Sequence, residues 1–194
     1  MDSTNSQIYF VEVGKPDYKK AKELYRKAFP KHERVPLVIL SWFFRKRTNK
    51  RAAFYSIYYK NSWAGFIYLW VGDDLVYVHY LAIDETLRSK GYGGMALEEI
   101  KERYANQRIV LGIEEVDKEV ANFEQRRKRR DFYKRHGFVS SGYRRTQKSV
   151  SMELLVHGGT FQPSDLLKLI TECMGKCKGY FLGRMLENSI SKKE

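Results

Sequence analysis

A glycine-rich loop between an apolar strand and a helix constrains this chain more than any other sequence feature. Residues 87–97 read LRSKGYGGMAL, in which Gly91, Gly93 and Gly94 follow two cations and precede a run typical of a helix. Because glycine has no Cβ, the backbone N–H groups of such a loop can approach an anion closely, and the start of a helix carries partial positive charge. The loop therefore predicts a phosphate-binding site, with a turn that only caps a helix as the alternative.

Composition limits the partners of the chain. With 194 residues, 43% of them hydrophobic, the chain can bury a full core, and its net charge of +13 favours nucleic acid, an acidic membrane surface or a phosphorylated small molecule. Cys173 and Cys177 have no further Cys or His pair nearby, so we expect free thiols, no metal and a cytoplasmic protein. No signal-peptide pattern is found, and Lys60 interrupts the most apolar stretch, so no membrane association is expected.

Hydrophobic periodicity predicts a mixture of strands and helices. The predicted strands are residues 7–13, 52–60, 62–71, 75–83, 108–116, 138–145 and 149–156, with a tight turn at Asn61–Ser62. The predicted helices are residues 17–29, 37–45 and 95–104, and one from a capping box at 122–125 to His136, where Gly137 is the C-terminal cap. Residues 1–158 are expected to form one domain, and 159–194 a helical extension packed on it or on a partner subunit.

Two known glycine loops can be weighed against this one. A P-loop needs a Lys-Ser or Lys-Thr pair after the glycines, and none follows here. A dinucleotide-binding fingerprint fits better, since Gly91, Gly93 and Ala96 have its spacing and Glu114 or Glu115 lies about twenty residues on. However, the seven residues DETLRSK separate Ile83 from Gly91, whereas the first glycine of that fingerprint follows its strand almost directly.

A third interpretation takes Arg88 to Gly93 as one unit with the pattern R/Q-x-x-G-x-G/A, which binds the pyrophosphate of coenzyme A. The segment LAIDETLRSKGYGGMAL resembles the central motif of the GNAT superfamily of N-acetyltransferases, and DFYKRHGF, residues 131–138, resembles its second signature. The similarity covers about residues 7–156. It implies an α+β fold of α/β/α layers, with a mixed, mostly antiparallel central sheet flanked by helices and the C-terminal helical extension added.

The resemblance also implies acetyl-CoA as the co-substrate. In the family the strand before the loop splays from its neighbour, and strand backbone pairs with the pantetheine arm. The residues that would bind acetyl-CoA are therefore Leu81, Ala82 and Ile83 through their main chain, and Arg88, Ser89, Lys90, Gly91, Tyr92, Gly93 and Gly94 around the pyrophosphate.

By the same resemblance, Tyr133 occupies the tyrosine position of the second signature and would protonate the leaving thiolate; the alternative is a tyrosine that packs under the sheet. One branch of the superfamily, which acetylates serotonin, has paired histidines at the positions of Tyr77 and His79, whereas many relatives have a glutamate there. His79 is thus a candidate base or a core histidine. Glu114 and Glu115 could relay a proton or attract an amine, or end a solvated strand.

These features predict an N-acetyltransferase that moves the acetyl group of acetyl-CoA to a primary amine of a small molecule or peptide, by direct attack in a ternary complex. The alternatives are an NAD(P)-binding oxidoreductase and a basic nucleic-acid-binding module, for which the run RRKRR at 126–130 is the argument. A solvated helix face explains that run more simply. The extension also leaves a homodimer open.

Overall fold

The computed structural model describes residues 8–30, 34–35, 51–147, 150–175 and 183–193. The strands are β1 Ile8–Glu12, β2 Ala52–Tyr59, β3 Ser62–Val71, β4 Leu75–Ile83, β5 Arg108–Glu114, β6 Val139–Gln147, β7 Val150–His157 and β8 Ile190–Lys192. The helices are α1 Lys15–Ala28, α2 Tyr92–Arg103, α3 Phe123–Arg135 and α4 Pro163–Met174, with a short 3₁₀ helix at Glu85–Leu87 and one helical turn at 183–187.

Within the described residues the strands form one eight-stranded sheet in the order β1-β2-β3-β4-β5-β7-β6-β8. Only the central pair, β4 and β5, is parallel; the other neighbouring strands are antiparallel. Helices cover both faces: α1 and α4 pack on one, through residues such as Leu24 and Leu169, and α2 and α3 pack on the other, through Leu97 and Tyr133. The predicted α+β, layered, mostly antiparallel fold is confirmed.

Most predicted boundaries lie within about two residues of the observed ones, and three differences have a physical reason. Helix α2 begins at Tyr92 rather than Met95, because Gly91 has a left-handed φ of 84° and starts the helix directly after the loop. The β2–β3 turn centres on Lys60 and Asn61, which both have positive φ, one residue earlier than predicted. Strand β8 was not predicted, since its three residues give no periodic signal.

Of the two predicted caps of α3, the N-terminal one is wrong and the C-terminal one is confirmed. The predicted capping box at Asn122 is wrong: the Asn122 side chain makes no cap hydrogen bond and instead accepts one from Arg126 Nε at 2.9 Å. At the other end Gly137 has the predicted left-handed φ, 79°. The predicted helix at 37–45 and Cys177 lie outside the described residues, and no described helix is long and apolar enough to cross a membrane.

A β-bulge interrupts the pairing of β3 with β4. Tyr68 pairs with Tyr80 and Leu69 with Val78, so His79 is an extra residue on β4. A bulge bends the strand that carries it and shifts the alternation of its side chains by one. As a result Tyr77 and Tyr80 both belong to the α1/α4 face, while Val78 and Leu81 belong to the α2/α3 face.

Gly65 on β3 allows the second half of β4 to lie close to the β3 backbone. It pairs with Ile83, and a Cβ at Gly65 would lie 2.1 Å from the carbonyl oxygen of Ala82. That contact is with backbone, so no side-chain rotation can relieve it. Gly65 therefore fixes the path of the β4 end that leads into the glycine loop.

We predict that Gly65→Ala lowers the free energy of unfolding by at least about 2 kcal/mol, because the two strands must separate to admit the methyl group. Urea unfolding measures the effect. Gly14→Ala is the matched control, since its Cβ would meet only Pro16 at 3.6 Å, an ordinary contact. Equal stability of the two variants would contradict the close approach of β3 and β4.

Candidate active site

The two parallel strands separate halfway along the sheet. Their pairing runs from Leu75 with Arg108 to Val78 with Leu111 and ends there, although both strands continue. Beyond this point β4 stays bonded to β3, and β5 stays bonded to β7. The separation begins at the bulged residue His79, where the bend of β4 leads the strand away from β5. Among the described residues, the β5-facing edge of His79–Ile83 has no strand partner.

A cavity of about 960 Å³ occupies this opening. Its walls include all five residues of the open edge of β4 and the facing residues Gly112 and Ile113 of β5. Residues from both faces of the sheet line it, for example Tyr77 from the α1/α4 face and Tyr133 from the α2/α3 face. The cavity therefore connects the two faces through the gap in the sheet.

The glycine loop lies at the end of the open edge. Arg88 Nε donates a hydrogen bond to the Ile83 carbonyl at 3.3 Å, and Arg88 also lines the cavity. The first amide bonded within α2 is that of Met95, which donates to the Gly91 carbonyl at 3.1 Å. The N–H groups just before it have no partner within the helix, as at any helix start. An anion at this point would meet several free donors.

Two of the loop glycines are required by the local structure. Gly91 and the neighbouring Ser89 both have positive φ, 84° and 61°, which makes the sharp turn into the helix. A Cβ at Gly94 would lie 2.6 Å from Cε1 of His136, so this glycine lets α2 pack closely against the end of α3. The loop spacing thus serves both the turn and the packing of the two helices.

Tyr133 lies on α3 and lines the cavity near the gap between the strands. Its ring packs against Phe132 and Phe138, with ring centroids 5.2 and 5.8 Å apart. Its hydroxyl has no hydrogen-bond partner among the described residues. Burial raises the pKa of Tyr133 above the usual value, against a smaller opposing effect of Arg129. The hydroxyl is therefore protonated at neutral pH and available to a ligand.

His79 lines the cavity from the other face. Its ring is surrounded by the rings of Trp70, Tyr77 and Tyr68, at centroid distances of 4.1, 4.8 and 6.0 Å. Its Nε2 is buried and has no hydrogen-bond partner among the described residues. Burial lowers the pKa of His79 to about 3, and the charge of Arg145 contributes to this. The imidazole is therefore neutral at neutral pH and holds a proton weakly.

The two glutamates lie apart from the cavity wall. Glu114 forms ion pairs with Arg126 at 3.0 Å and Arg129 at 3.2 Å, and its side chain is 11% exposed. Neither Glu114 nor Glu115 is among the residues that line the cavity. The Glu115 carbonyl accepts a bond from Arg126 at 3.0 Å, and its amide donates to the Ser151 carbonyl. Both residues hold α3 against the end of β5.

The basic run at 126–130 is largely engaged within the molecule. Arg126 and Arg129 pair with Glu114. Arg127 bonds to Glu124 at 2.8 Å and lies 3.7 Å from Asp131. The pairs with Glu114 hold α3, the helix that carries Tyr133, against the end of β5. A surface for nucleic-acid phosphates would instead need these guanidinium groups to face solvent together.

The C-terminal extension forms part of the cavity wall, which sequence reasoning missed. Met174, Met185, Leu186 and Ser189 line the cavity on the α1/α4 face. Besides the pairing of β8 with β6, Thr146 N donates to the Ser189 carbonyl at 3.1 Å, and Lys193 pairs with the buried Glu153 at 2.9 Å. No motif in the sequence links these residues to the cavity, because segments that are far apart in the chain meet only when the sheet has folded.

The structure resembles many solved acetyltransferases. A putative acetyltransferase of the GNAT family from Bacteroides thetaiotaomicron is 26% identical, with a TM-score of 0.69 over 86% of this chain and 97% of that chain. Naa50 from Arabidopsis thaliana, solved with the bisubstrate analogue CoA-Ac-MVNAL, is 16% identical, with a TM-score of 0.58 over 79% of this chain and 99% of its own.

A GNAT family acetyltransferase from Elizabethkingia anophelis, solved with acetyl-CoA bound, is 15% identical, with a TM-score of 0.54 over 78% of this chain and 97% of its own. No curated protein matches the sequence at a significant level. The family model described as Acetyltransferase (GNAT) family matches residues 18–138, which include the open edge of β4, the glycine loop and Tyr133. The chain therefore belongs to the GNAT family of acetyltransferases.

Proposed function

We propose that this protein transfers the acetyl group of acetyl-CoA to a primary amine by direct attack, with both substrates bound together. The observation that carries the proposal is the open edge of β4 at His79–Ile83, which runs from the cavity to the free amides of the glycine loop. Family membership supports acetyl-CoA as the co-substrate. When bound, acetyl-CoA supplies an acetyl group activated as a thioester.

The residues present fit acetyl-CoA. The amides of Ser89 to Gly94, together with Arg88 and Lys90, can donate to its pyrophosphate by charge-assisted hydrogen bonds. The unpaired backbone of Leu81, Ala82 and Ile83 can bond to the amides of the pantetheine arm, as an added strand would. The reacting end then lies at the gap between His79 and Gly112, where the cavity opens towards the other face of the sheet.

Tyr133 is proposed as the proton donor to the leaving sulfur. A thiol similar to cysteine has a pKa of about 8.5 and tyrosine one of about 10, so in water this proton transfer costs only roughly 2 kcal/mol. The raised pKa of Tyr133 keeps its Oη protonated at neutral pH and also makes it a weaker proton donor than a tyrosine in water. As the new C–N bond forms and the C–S bond breaks, the Oη proton passes to sulfur, and solvent then restores it.

His79 is proposed to position the amine rather than to remove its proton. Only a neutral amine is a nucleophile, and at pH 7 the deprotonation of a lysine-like amine costs about 4.6 kcal/mol, against roughly 1.4 for an α-amino group. With a pKa of about 3, His79 is too weak a base to drive this step. Its unpaired Nε2 can accept an N–H bond from the amine while water takes the proton.

Glu114 and Glu115 are not assigned as bases in this proposal. The Glu114 carboxylate is engaged by two guanidinium groups and does not line the cavity. We propose instead that Glu114 positions α3, and with it Tyr133. The oxidoreductase alternative also loses support, because Glu114 is occupied by arginines and cannot bind a ribose in this conformation.

The experiment that tests the proposed function is a thermal melt with acetyl-CoA, with NADH and with an oligonucleotide, each in a separate sample. A ligand that binds only the folded state at about 100 times its Kd adds roughly 2.7 kcal/mol of stability, which is a rise in Tm of roughly 5–10 °C for a chain of this size. We expect that rise with acetyl-CoA. A rise with NADH alone, or with the oligonucleotide alone, would refute the acetyltransferase proposal.

We predict that Tyr133→Phe lowers kcat by at least about 100-fold, because it removes the proton donor, and changes the Kd for acetyl-CoA by less than about threefold. Thiol release under saturating acetyl-CoA and calorimetric titration measure the two quantities. Tyr143→Phe is the control: its hydroxyl bonds to Gln162 at 2.8 Å, and it does not line the cavity. An unchanged kcat in Tyr133→Phe would remove this tyrosine from the mechanism.

We predict that His79→Asn makes the protein less sensitive to acid. Below pH 6.5 an unfolded histidine binds a proton, whereas folded His79, with a pKa of about 3, does not. The stability that neutral His79 contributes is therefore present above pH 6.5 and is lost as the pH falls towards 3, by up to about 1.4 kcal/mol per pH unit.

Urea unfolding at pH 7, 6 and 5 measures this slope. Between pH 6 and 5 the free energy of unfolding should change more steeply with pH in the wild type than in His79→Asn. The difference in slope should correspond to about one extra proton taken up on unfolding. Tyr77→Phe, which changes a neighbouring ring but keeps the histidine, serves as control and should retain the wild-type slope. If His79→Asn has the same slope as wild type, then folded His79 titrates normally and can act as a base.

A further inference from the structure

We propose that the acetyl acceptor is a small apolar primary amine that also carries a carboxylate, such as a free amino acid with a hydrophobic side chain, and that Arg145 binds this carboxylate. The inference rests on the proposed function and specifies its substrate class. It comes from the part of the cavity on the α1/α4 face of the sheet, opposite the face where Tyr133 lies.

The wall on the α1/α4 face is apolar and rich in aromatic and sulfur-containing side chains. The residues that form it include Trp70, Tyr77, Tyr80, Met152, Met174 and Met185. Aromatic rings give a large apolar contact area, and methionine adapts its shape to an irregular apolar ligand. Such a wall favours an acceptor that presents hydrocarbon or an aromatic ring next to its amine.

The charge of the cavity wall disfavours polycations. No Asp or Glu is among the described residues that line it, whereas Lys27, Arg88, Arg129 and Arg145 all do. Arg129 is paired with Glu114, and Arg88 is assigned to the pyrophosphate. This leaves Lys27 and Arg145 as the cations nearest in role to the acceptor. A polyamine or an aminoglycoside would bring several positive charges into a cationic, partly desolvated space, where repulsion between like charges is strong. An acceptor with a negative group would instead reduce the net charge of the cavity when it binds.

Three carboxylates on or next to strands that line the cavity already have partners. Hydrogen bonds from Thr86 lower the pKa of Asp84, and the charges of Lys27 and Arg88 add to this effect. Glu114 pairs with two arginines, and the buried Glu153 pairs with Lys193 at 2.9 Å. None of these groups is available to neutralise a second ammonium group on the acceptor.

The residues outside the described ranges include more basic than acidic side chains. Their acidic side chains are Asp2, Glu33 and Glu194. Their Lys and Arg side chains are Lys31, Arg45, Lys46, Arg47, Lys50, Lys148, Lys176 and Lys178.

Arg145 lines the cavity in the neighbourhood of His79. Its guanidinium lies 5.9 Å from the centre of the Tyr77 ring, and the same ring lies 4.8 Å from that of His79. Its charge contributes to the lowered pKa of His79, which also indicates proximity. The guanidinium of Arg145 and the imidazole of His79 thus lie beside the same ring, and a guanidinium binds a carboxylate in a two-pronged geometry.

The test compares matched pairs of acceptors that differ only in the carboxylate: L-leucine with 3-methylbutylamine, and L-phenylalanine with 2-phenylethylamine. Spermidine is the polycationic competitor. Thiol release with acetyl-CoA gives kcat/KM for each acceptor in wild type, in Arg145→Gln and in Arg145→Lys. Arg144→Gln is the matched control, since Arg144 lies next to Arg145 on β6, bonds to Ser191 at 3.2 Å and does not line the cavity.

We expect each amino acid to exceed its decarboxylated amine in kcat/KM by at least about tenfold, corresponding to one charge-assisted contact. Arg145→Gln should bring the ratio close to one, Arg145→Lys should restore part of it, and Arg144→Gln should keep it. Faster acetylation of spermidine, a ratio that Arg145→Gln leaves unchanged, or acetyl-CoA binding without turnover of either amino acid would overturn the inference. Absence of acetyl-CoA binding in the melt would instead refute the proposed function itself.

Discussion

The end of hydrogen bonding between β4 and β5 is the constraint on which the rest of the site depends. After Val78 and Leu111 each strand keeps its outer neighbour and loses its inner one, so the sheet opens around an unpaired backbone edge. Unpaired backbone groups away from water are costly, which makes this edge a natural place for a ligand with amide groups. The bulge at His79 and the close approach at Gly65 hold the edge in place.

The sequence identified the parts of the molecule that local patterns encode. The glycine loop, the apolar run of β4 and the signature around Tyr133 are contiguous segments, and glycine spacing and strand periodicity report directly on them. The predicted bounds of β4 match the observed Leu75–Ile83, and the family is the one that the two motifs indicated. Whether the named residues bind acetyl-CoA and protonate the thiolate stays a prediction.

Contacts between distant segments could not be read in the same way. Nothing in the run RRKRR shows that Arg126 and Arg129 meet Glu114, because that pairing depends on how α3 lies against β5. The bulge at His79 likewise follows from the register with β3, which a single strand does not reveal. The extension reaches the cavity through Met174 at the end of α4 and through Met185 and Ser189 ahead of β8, which pairs with β6.

Hydrogen exchange of the backbone amides, with and without acetyl-CoA, tests most directly whether the open edge holds the co-substrate. We predict slower exchange in two segments, residues 79–83 of β4 and 89–94 of the loop, while the strand β2, which is paired on both sides, changes little. Protection confined to residues 126–130, or no protection in either predicted segment despite binding, would contradict it.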